Sequence, residues 1–269
     1  MFIAHMGKCT WLDRVELARI YSDDEYYPRN IQNNWISGTT PDAIRERYRG
    51  ILNKLMLKHL IITPARMSHF FGQGAVESEC LGKMVEASSS GERYRASLQS
   101  EVGGWYNNPD DDYYVKMGYS NNNGNLGKED AIKFRDRGMK QLTGRSNYAD
   151  YWNYRGWLRE QKSYGEKGDY DWHWWDNSKK KAAEIDNPQI VGMEDYLTID
   201  AGCWYWTAGR PTPINSKITE SERVKDIEAD VRGVSIAING VNSNTGDPNG
   251  LEERKDNTKR IFNILMNGE

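Results

Sequence analysis

Residues 63–94 read TPARMSHFFGQGAVESECLGKMVEASSSGERY and carry the signals around which we predict the fold. Thr63 suits a helix N-cap, and Pro64 suits the first helical position because a proline there gives up no hydrogen bond. Gly82 predicts the end of this helix. Small or apolar residues recur at steps of three and four and predict one packed face, formed by Met67, Phe70, Phe71, Gly74, Ala75 and Ser78.

Two glutamates in this stretch are candidates for chemistry. Glu77 falls at the edge of the packed face, so we expect its carboxyl group to be partly buried. Glu86 follows nine residues later, and one continuous helix would carry it to the opposite side, about 13 Å along the axis. A helix that ends near Gly82 instead lets residues 83–87 extend and residues 88–91 turn back, so that Glu86 faces Glu77 across a groove.

Such a pair has the composition that hydrolysis of a glycosidic bond requires. One carboxyl group must hold a proton for the leaving oxygen, and the other must be ionised to activate water. We predict that a half-apolar setting keeps Glu77 protonated near neutral pH and that exposure keeps Glu86 ionised. The alternative is that both are ordinary surface glutamates, as we expect for Glu79, Glu92 and Glu101.

The composition of the 269-residue chain narrows the function further. Its ten tryptophans and sixteen tyrosines suit sugar-binding clefts as well as cores. A net charge of −3 gives no electrostatic case for nucleic acid or an anionic membrane surface. No stretch is long and apolar enough for a membrane span, and the first residues lack the pattern of a secretory signal. The three cysteines and four histidines show no metal-ligand spacing, so we predict neither a metal nor another cofactor.

The rest of the chain predicts a mostly helical scaffold. Predicted helices cover Trp11 to Tyr21, Pro41 to Leu60 with Thr40 as cap, Asn147 to Trp152, residues 189–209, residues 219–239, and Leu251 to Met266. We expect the last of these to pack on the outside. The Gly-, Asn- and Asp-rich segment at 101–130 predicts loops or short hairpins, whose Tyr113, Tyr114 and Tyr119 are candidates for a cleft wall.

A second segment that can supply residues to a functional site is FRDRGMKQLTGRSNYADY at residues 134–151. Arginines and glycines are interleaved in it, at Arg135, Arg137, Gly138, Gly144 and Arg145. This pattern predicts a loop whose backbone approaches a groove and whose guanidinium groups hold carboxylates in place. Thr143 offers a hydroxyl group that can hold a water molecule. The simpler interpretation is an ion-paired turn.

Four segments resemble the glycoside hydrolase family 19 chitinases and the related phage endolysins. Residues 134–151 resemble the signature FRGRGxxQLTGRxNY, and residues 66–79 resemble RxAHFLAQxxHES, whose glutamate is the catalytic acid. Residues 186–206 resemble a helix ending in Phe/Tyr-Trp, and residues 234–261 resemble the ending INGGxxGLxxR. The segments occur in the family's order. The nine-residue spacing of the glutamates is similar to that of endolysins and bacterial secretion-effector lysozymes. The chain looks most like the C-terminal lysozyme domain of a type VI secretion effector that degrades peptidoglycan.

The resemblance implies a fold and a domain. It implies a mainly α, lysozyme-like α+β fold, with a helical body, a small β-hairpin lobe near Glu86 and a cleft between them. We expect residues 41–269 to form this domain and residues 1–40 to be an N-terminal extension or linker that packs on it. Residues 153–184 are longer than the connection in most members. Their Trp172, Trp174 and Trp175 are interpreted either as a glycan-stacking platform or as a cluster that attaches the insertion to the body.

The resemblance also implies roles for individual residues. Glu77 corresponds to the general acid, Glu86 to the base that activates water, and Thr143 to a residue that helps to hold that water. The expected substrate-binding residues are Arg137, Gln141, Asn239 and Tyr94. The chain departs from the family pattern at Val76, where many members have histidine, and at Asp136, where they have glycine. Neither change removes a catalytic carboxyl group, so we expect activity, and the two changes leave its pH range open.

The expected function is therefore hydrolysis of a β-1,4 bond in peptidoglycan with inversion of configuration, which requires carboxyl groups about 6.5–9.5 Å apart. Chitin is the alternative substrate, because both polymers contain N-acetylglucosamine, and a non-catalytic wall-binding module is the alternative class. An effector or endolysin of this kind is expected to be monomeric and to act in the bacterial periplasm or cell wall without a cleavable signal peptide. A cognate immunity protein is a further partner considered for such a toxin.

Overall fold

A computed structural model describes residues 11–26, 40–86, 113–158, 161–162, 169–170 and 185–267. These residues are mostly helical with almost no strand, which confirms the predicted mainly α class. None of the helices in these ranges is long and apolar enough to cross a membrane. The predictions made for Tyr94, for the turn at residues 88–91 and for the tryptophans at 172–175 lie outside the described residues.

Helices account for nearly all of the regular structure. They are α1 (Arg14–Ile20), α2 (Asp23–Tyr26), α3 (Pro41–Lys58), α4 (Pro64–Glu77), α5 (Tyr113–Lys116), α6 (Lys128–Lys133), α7 (Arg145–Tyr154), α8 (Ile190–Met193), α9 (Asp195–Thr207), α10 (Val224–Asn239) and α11 (Leu251–Asn267). Short 3₁₀ helices cover Tyr119–Asn121 and Ile214–Lys217. Two-residue strands, β1 (Gln161–Lys162) and β2 (Asp169–Tyr170), pair antiparallel within the predicted insertion.

The chain forms two compact units. The described residues up to Gly82 and those from Trp206 onward make the first unit, and those from Lys83 to Tyr205 make the second. Helix α1 belongs to the first unit and contributes Leu17 and Ile20, both fully buried, to its core.

Helix α4 is the central element of the first unit. Thr63 accepts a hydrogen bond from the backbone N–H of Arg66 at 3.2 Å, and the helix begins at Pro64 as predicted. The contacts between α4 and α11 are more extensive than those of any other described helix pair, so the prediction that α11 packs on the outside is wrong. Gly72 explains the close packing, since an added Cβ would lie 3.0 Å from the backbone of Thr258.

Helix α4 ends at Glu77, five residues before the predicted stop at Gly82. The Ser78 hydroxyl donates to the carbonyl of Gly74 and accepts from the N–H of Leu81, which replaces helical hydrogen bonds. Glu79, Cys80 and Leu81 then adopt φ values of 47°, 58° and 70°. Positive φ values are unfavourable for non-glycine residues and persist only where packing stabilises them. Cys80 and Leu81 are fully buried, so packing offsets this cost.

The second unit has an aromatic core. Tyr148, Tyr151 and Trp152 on α7 pack with Trp204 on α9, and a smaller cluster joins Tyr114 to Ala131 and Ile132. Arg145 begins α7 and holds Asp130, with Nε 2.7 Å from Oδ2, as expected for a guanidinium that fixes a carboxylate. The rings described here therefore serve packing rather than a sugar-binding surface.

Candidate active site

Glu77 lies in a buried polar network of the first unit. Its side chain is 11% exposed, and Nη2 of Arg254 lies 2.7 Å from its Oε1. Arg254 also donates from Nη1 to Oε1 of Gln73 at 2.6 Å, and Gln73 donates to the hydroxyl of Ser235 at 2.9 Å. The predicted partial burial is confirmed. The predicted half-apolar setting is wrong, because the nearest charged neighbour is a buried guanidinium.

Asn239 is joined to the same network through a loop. It is the last residue of α10, is exposed, and accepts a hydrogen bond at its Oδ1 from the N–H of Asn249 at 3.2 Å. The carbonyl of Asn249 in turn accepts from Nε of Arg254 at 2.9 Å. Asn239, which the resemblance marks as a substrate-side residue, therefore helps to hold the loop whose Asn249 carbonyl accepts from Arg254.

Glu86 lies in the second unit and is buried, with 8% exposure. Its Oε1 accepts from the hydroxyl of Tyr119 at 3.4 Å, and its carbonyl accepts from the hydroxyl of Tyr114 at 3.2 Å. Burial raises the pKa of Glu86 to about 7, although the backbone N–H of Asp136 and the charge of Lys83 act in the opposite direction. The prediction that exposure keeps Glu86 ionised is therefore wrong.

A short antiparallel arrangement explains how Glu86 becomes buried. Val85 bridges Arg137, and Arg137 bridges Leu142. This register places Asp136 opposite both Glu86 and Thr143, so the three side chains share one face of a three-segment rung. The N–H of Glu86 donates to the carbonyl of Asp136 at 2.9 Å. The extended segment predicted to begin at residue 83 thus pairs, at Val85 and Glu86, with a segment about fifty positions downstream.

The side chains of Glu86 and Thr143 both hydrogen-bond to Asp136, the first to its backbone and the second to its carboxyl group. The N–H of Asp136 lies 3.4 Å from Oε2 of Glu86, and the hydroxyl of Thr143 hydrogen-bonds to Oδ1 of Asp136. The Thr143 hydroxyl also lies 2.9 Å from the carbonyl of Gln141. Thr143, predicted from QLTGR, is therefore tied to Glu86 through Asp136.

Two predicted substrate-binding residues, Arg137 and Gln141, stabilise the turn between the bridged residues Arg137 and Leu142. Arg137 is fully buried, and its Nη1 donates to the carbonyl of Lys133 and to the hydroxyl of Tyr148, each at 2.9 Å. It is inaccessible to a polymer, so its assignment to the cleft is wrong. Gln141 is half-buried with a φ of 52°, and its Nε2 donates to the carbonyl of Gly138 at 2.8 Å, which closes the turn.

Sequence reasoning did not assign Arg254 or Gln73. Gln73 is one helical turn before Glu77, a spacing that places two side chains on the same face. Arg254 is the arginine of GLEER, which stands in the last of the four family-like segments. Both signals were present, but neither alone shows that the two side chains meet.

Neither a search for metal sites nor comparison with known proteins assigns further functional residues. Within the described ranges, no group of three or more His, Cys, Asp and Glu side chains could hold a metal ion. No protein-family model matches this chain, and a search of curated proteins also finds no match. The family resemblance therefore rests on the four quoted segments.

Proposed function

We propose that this protein is a lysozyme-type peptidoglycan hydrolase in which Glu77 and Glu86 perform acid and base catalysis. One observation carries the proposal. Both glutamates marked by the family-like segments are held in buried polar networks, one with Arg254 and one with Tyr119 and Asp136. Ordinary surface glutamates point into solvent and make few such contacts. The surface alternative is therefore disfavoured for both.

The proposed reaction is a single displacement. Glu77 gives its proton to the leaving glycosidic oxygen while Glu86 takes a proton from the attacking water, so one C–O bond breaks as another forms and the configuration inverts. Thr143 helps to hold the water. The mechanism requires the two carboxyl groups to lie about 6.5–9.5 Å apart across one bond.

A reversed assignment of the two glutamates has support from the electrostatics. The buried carboxyl of Glu86, with a pKa raised to about 7, is partly protonated at neutral pH and can therefore serve as the acid. The resemblance, in contrast, makes Glu77 the acid. The dependence of the rate on pH separates the two assignments, because an acid must be protonated and a base ionised.

Peptidoglycan is proposed over chitin because the short spacing of the glutamates is similar to that of endolysins and secreted lysozyme effectors. The same argument proposes action in the bacterial periplasm or cell wall. A chitinase with the same catalytic pair is the alternative.

Digestion of purified sacculi tests the proposal. We expect mass spectrometry to find products with reducing ends, and we expect Glu77→Gln and Glu86→Gln each to lower the rate by about a hundredfold or more. Glu129→Gln, at an exposed position, is the matched control. Anhydro ends would indicate a lytic transglycosylase, and binding without release would indicate a wall-binding module. Wild-type rates in both glutamine variants would exclude these two residues from catalysis.

A further inference from the structure

Asp136 occupies the centre of the rung that carries Glu86 and Thr143. Adjacent segments of a sheet are about 4.8 Å apart. The backbones at Glu86 and Thr143 are therefore roughly 10 Å apart across the rung, with the backbone of Asp136 between them. The backbone of Asp136 contacts Glu86 twice, through its carbonyl at 2.9 Å and its N–H at 3.4 Å. Its side chain contacts Thr143. Backbone and side chain of Asp136 thus serve different partners.

The Thr143 hydroxyl has one hydrogen and two neighbouring acceptors. These acceptors are Oδ1 of Asp136 and the carbonyl of Gln141, which lies 2.9 Å away. A carboxylate is the stronger acceptor of the two, because hydrogen bonds to ionised groups are stronger than neutral ones. Once that hydrogen is donated to Asp136, the oxygen of Thr143 can only accept from any further group.

We propose that Asp136 is a positioning residue that orients the Thr143 hydroxyl so that it accepts a hydrogen bond from the attacking water. This inference rests on the proposed function and adds a residue that the family pattern lacks, since the resemblance has glycine at this position. The water would donate one hydrogen to Thr143 and the other to Glu86. Its lone pair is then directed at the anomeric carbon while Glu86 takes the proton.

The register of the bridges places the Asp136 carboxyl group on the same face as Glu86. Other groups near Glu86 are Lys83 on its own segment, Tyr119 and Tyr114 from the helical side, and Arg135 beside Asp136. A neighbouring carboxylate disfavours ionisation of a second one. Removal of the charge at position 136 should therefore shift the ionisation of Glu86 to lower pH.

Variants at positions 136 and 143 test the proposal on sacculi. We expect Asp136→Ala to lower kcat about tenfold or more, with KM nearly unchanged, because the loss falls on the orientation of water. Asp136→Asn should recover most of kcat, because its amide oxygen still accepts from Thr143. Asp136→Ala combined with Thr143→Val should be no slower than Thr143→Val alone, because both changes remove the same function. Glu129→Ala, an exposed acid of the same unit, is the control.

The outcomes separate this inference from the proposed function. If the wild-type protein releases no reducing ends, both the proposed function and the role of Asp136 are overturned. An active wild type that loses its rate in Glu86→Gln but keeps it in Asp136→Ala overturns the role of Asp136 alone. Independent, multiplying losses in the double variant also overturn it. The pH profile adds a readout that a purely structural role would not move: the limb assigned to Glu86 should shift to lower pH in Asp136→Asn, and an unchanged limb contradicts the electrostatic part.

Discussion

Burial of Glu86 has a direct consequence for the pH dependence of the reaction. If Glu86 is the base, it acts only when ionised, and its pKa of about 7 makes the ionised fraction rise as pH increases through that value. We therefore expect kcat/KM to rise about tenfold per pH unit below pH 7 and to level off above it. Initial rates on sacculi between about pH 5 and pH 9 measure this.

If Glu86 is the acid and Glu77 the base, the rate should depend on pH in the opposite direction near pH 7. If Glu86 is the acid, its protonated fraction falls as pH rises through about 7, and kcat/KM should fall with it. A descending limb at this pH would therefore exchange the roles of Glu77 and Glu86. A profile without any limb near pH 7 would contradict the buried environment of Glu86.

Arg254 is the residue on which the first network depends. Its guanidinium, 2% exposed, contacts both Glu77 and Gln73. We expect Arg254→Ala to lower the free energy of unfolding by about 3–5 kcal/mol, because it leaves the buried side chains of Glu77 and Gln73 without their shared partner. Arg254→Lys should recover only part, since an ammonium cannot reach both partners as a planar fork does.

The adjacent residue provides the control for this prediction. Lys255 pairs with Glu252 at 2.7 Å on the exposed side of the same helix. Lys255→Ala should leave the unfolding midpoint nearly unchanged, because exposed ion pairs contribute little. Chemical denaturation of the three variants measures the difference. Equal destabilisation by Arg254→Ala and Lys255→Ala would contradict the buried network.

At the scale of elements, contact between α4 and α11 depends on Gly72. A Cβ at this position would lie 2.3 Å from Oγ1 of Thr258 and 3.0 Å from its backbone. We expect Gly72→Ala to destabilise the protein by about 1–3 kcal/mol, because the helices must separate. Gly50→Ala on α3 meets nothing within 4 Å and should stabilise by about 1 kcal/mol through helix propensity. Thermal unfolding of both variants checks the opposite signs.

Local sequence signals predicted where helices begin better than what surrounds their side chains. Thr63 and Pro64 mark the start of α4 because capping and proline chemistry act within one turn. The environment of Glu86 was missed because it depends on pairing with Asp136, fifty positions away. Burial is a property of that tertiary pairing, so no local pattern around Glu86 could reveal it.

At the scale of the whole molecule, sequence patterns predicted the helical class but not the division into units. The first unit combines segments from both ends of the chain, with α1, α3 and α4 from one end and α10 and α11 from the other. For example, Arg260 on α11 donates to the carbonyl of Ile20 at 3.0 Å. Helical periodicity shows that a face is apolar, but it does not identify the helix that covers it.

This arrangement predicts how the molecule responds to loss of its last helix. Removal of residues 251–269 leaves α4 without its largest partner, so we expect the first unit to unfold. Buried thiols report on each unit separately, because Cys80 belongs to the first and Cys203 to the second. After thiol labelling and peptide mass spectrometry, we expect modification of Cys80 and continued protection of Cys203.

A chain that ends at Met266 is the matched control, since it loses only the final residue of α11 and the two that follow. It should protect both thiols. Protection of Cys80 in the longer truncation would mean that α4 holds its fold without α11. Equal labelling of Cys80 and Cys203 would mean that the two units unfold as one, because a unit with its own core should remain closed when the other opens.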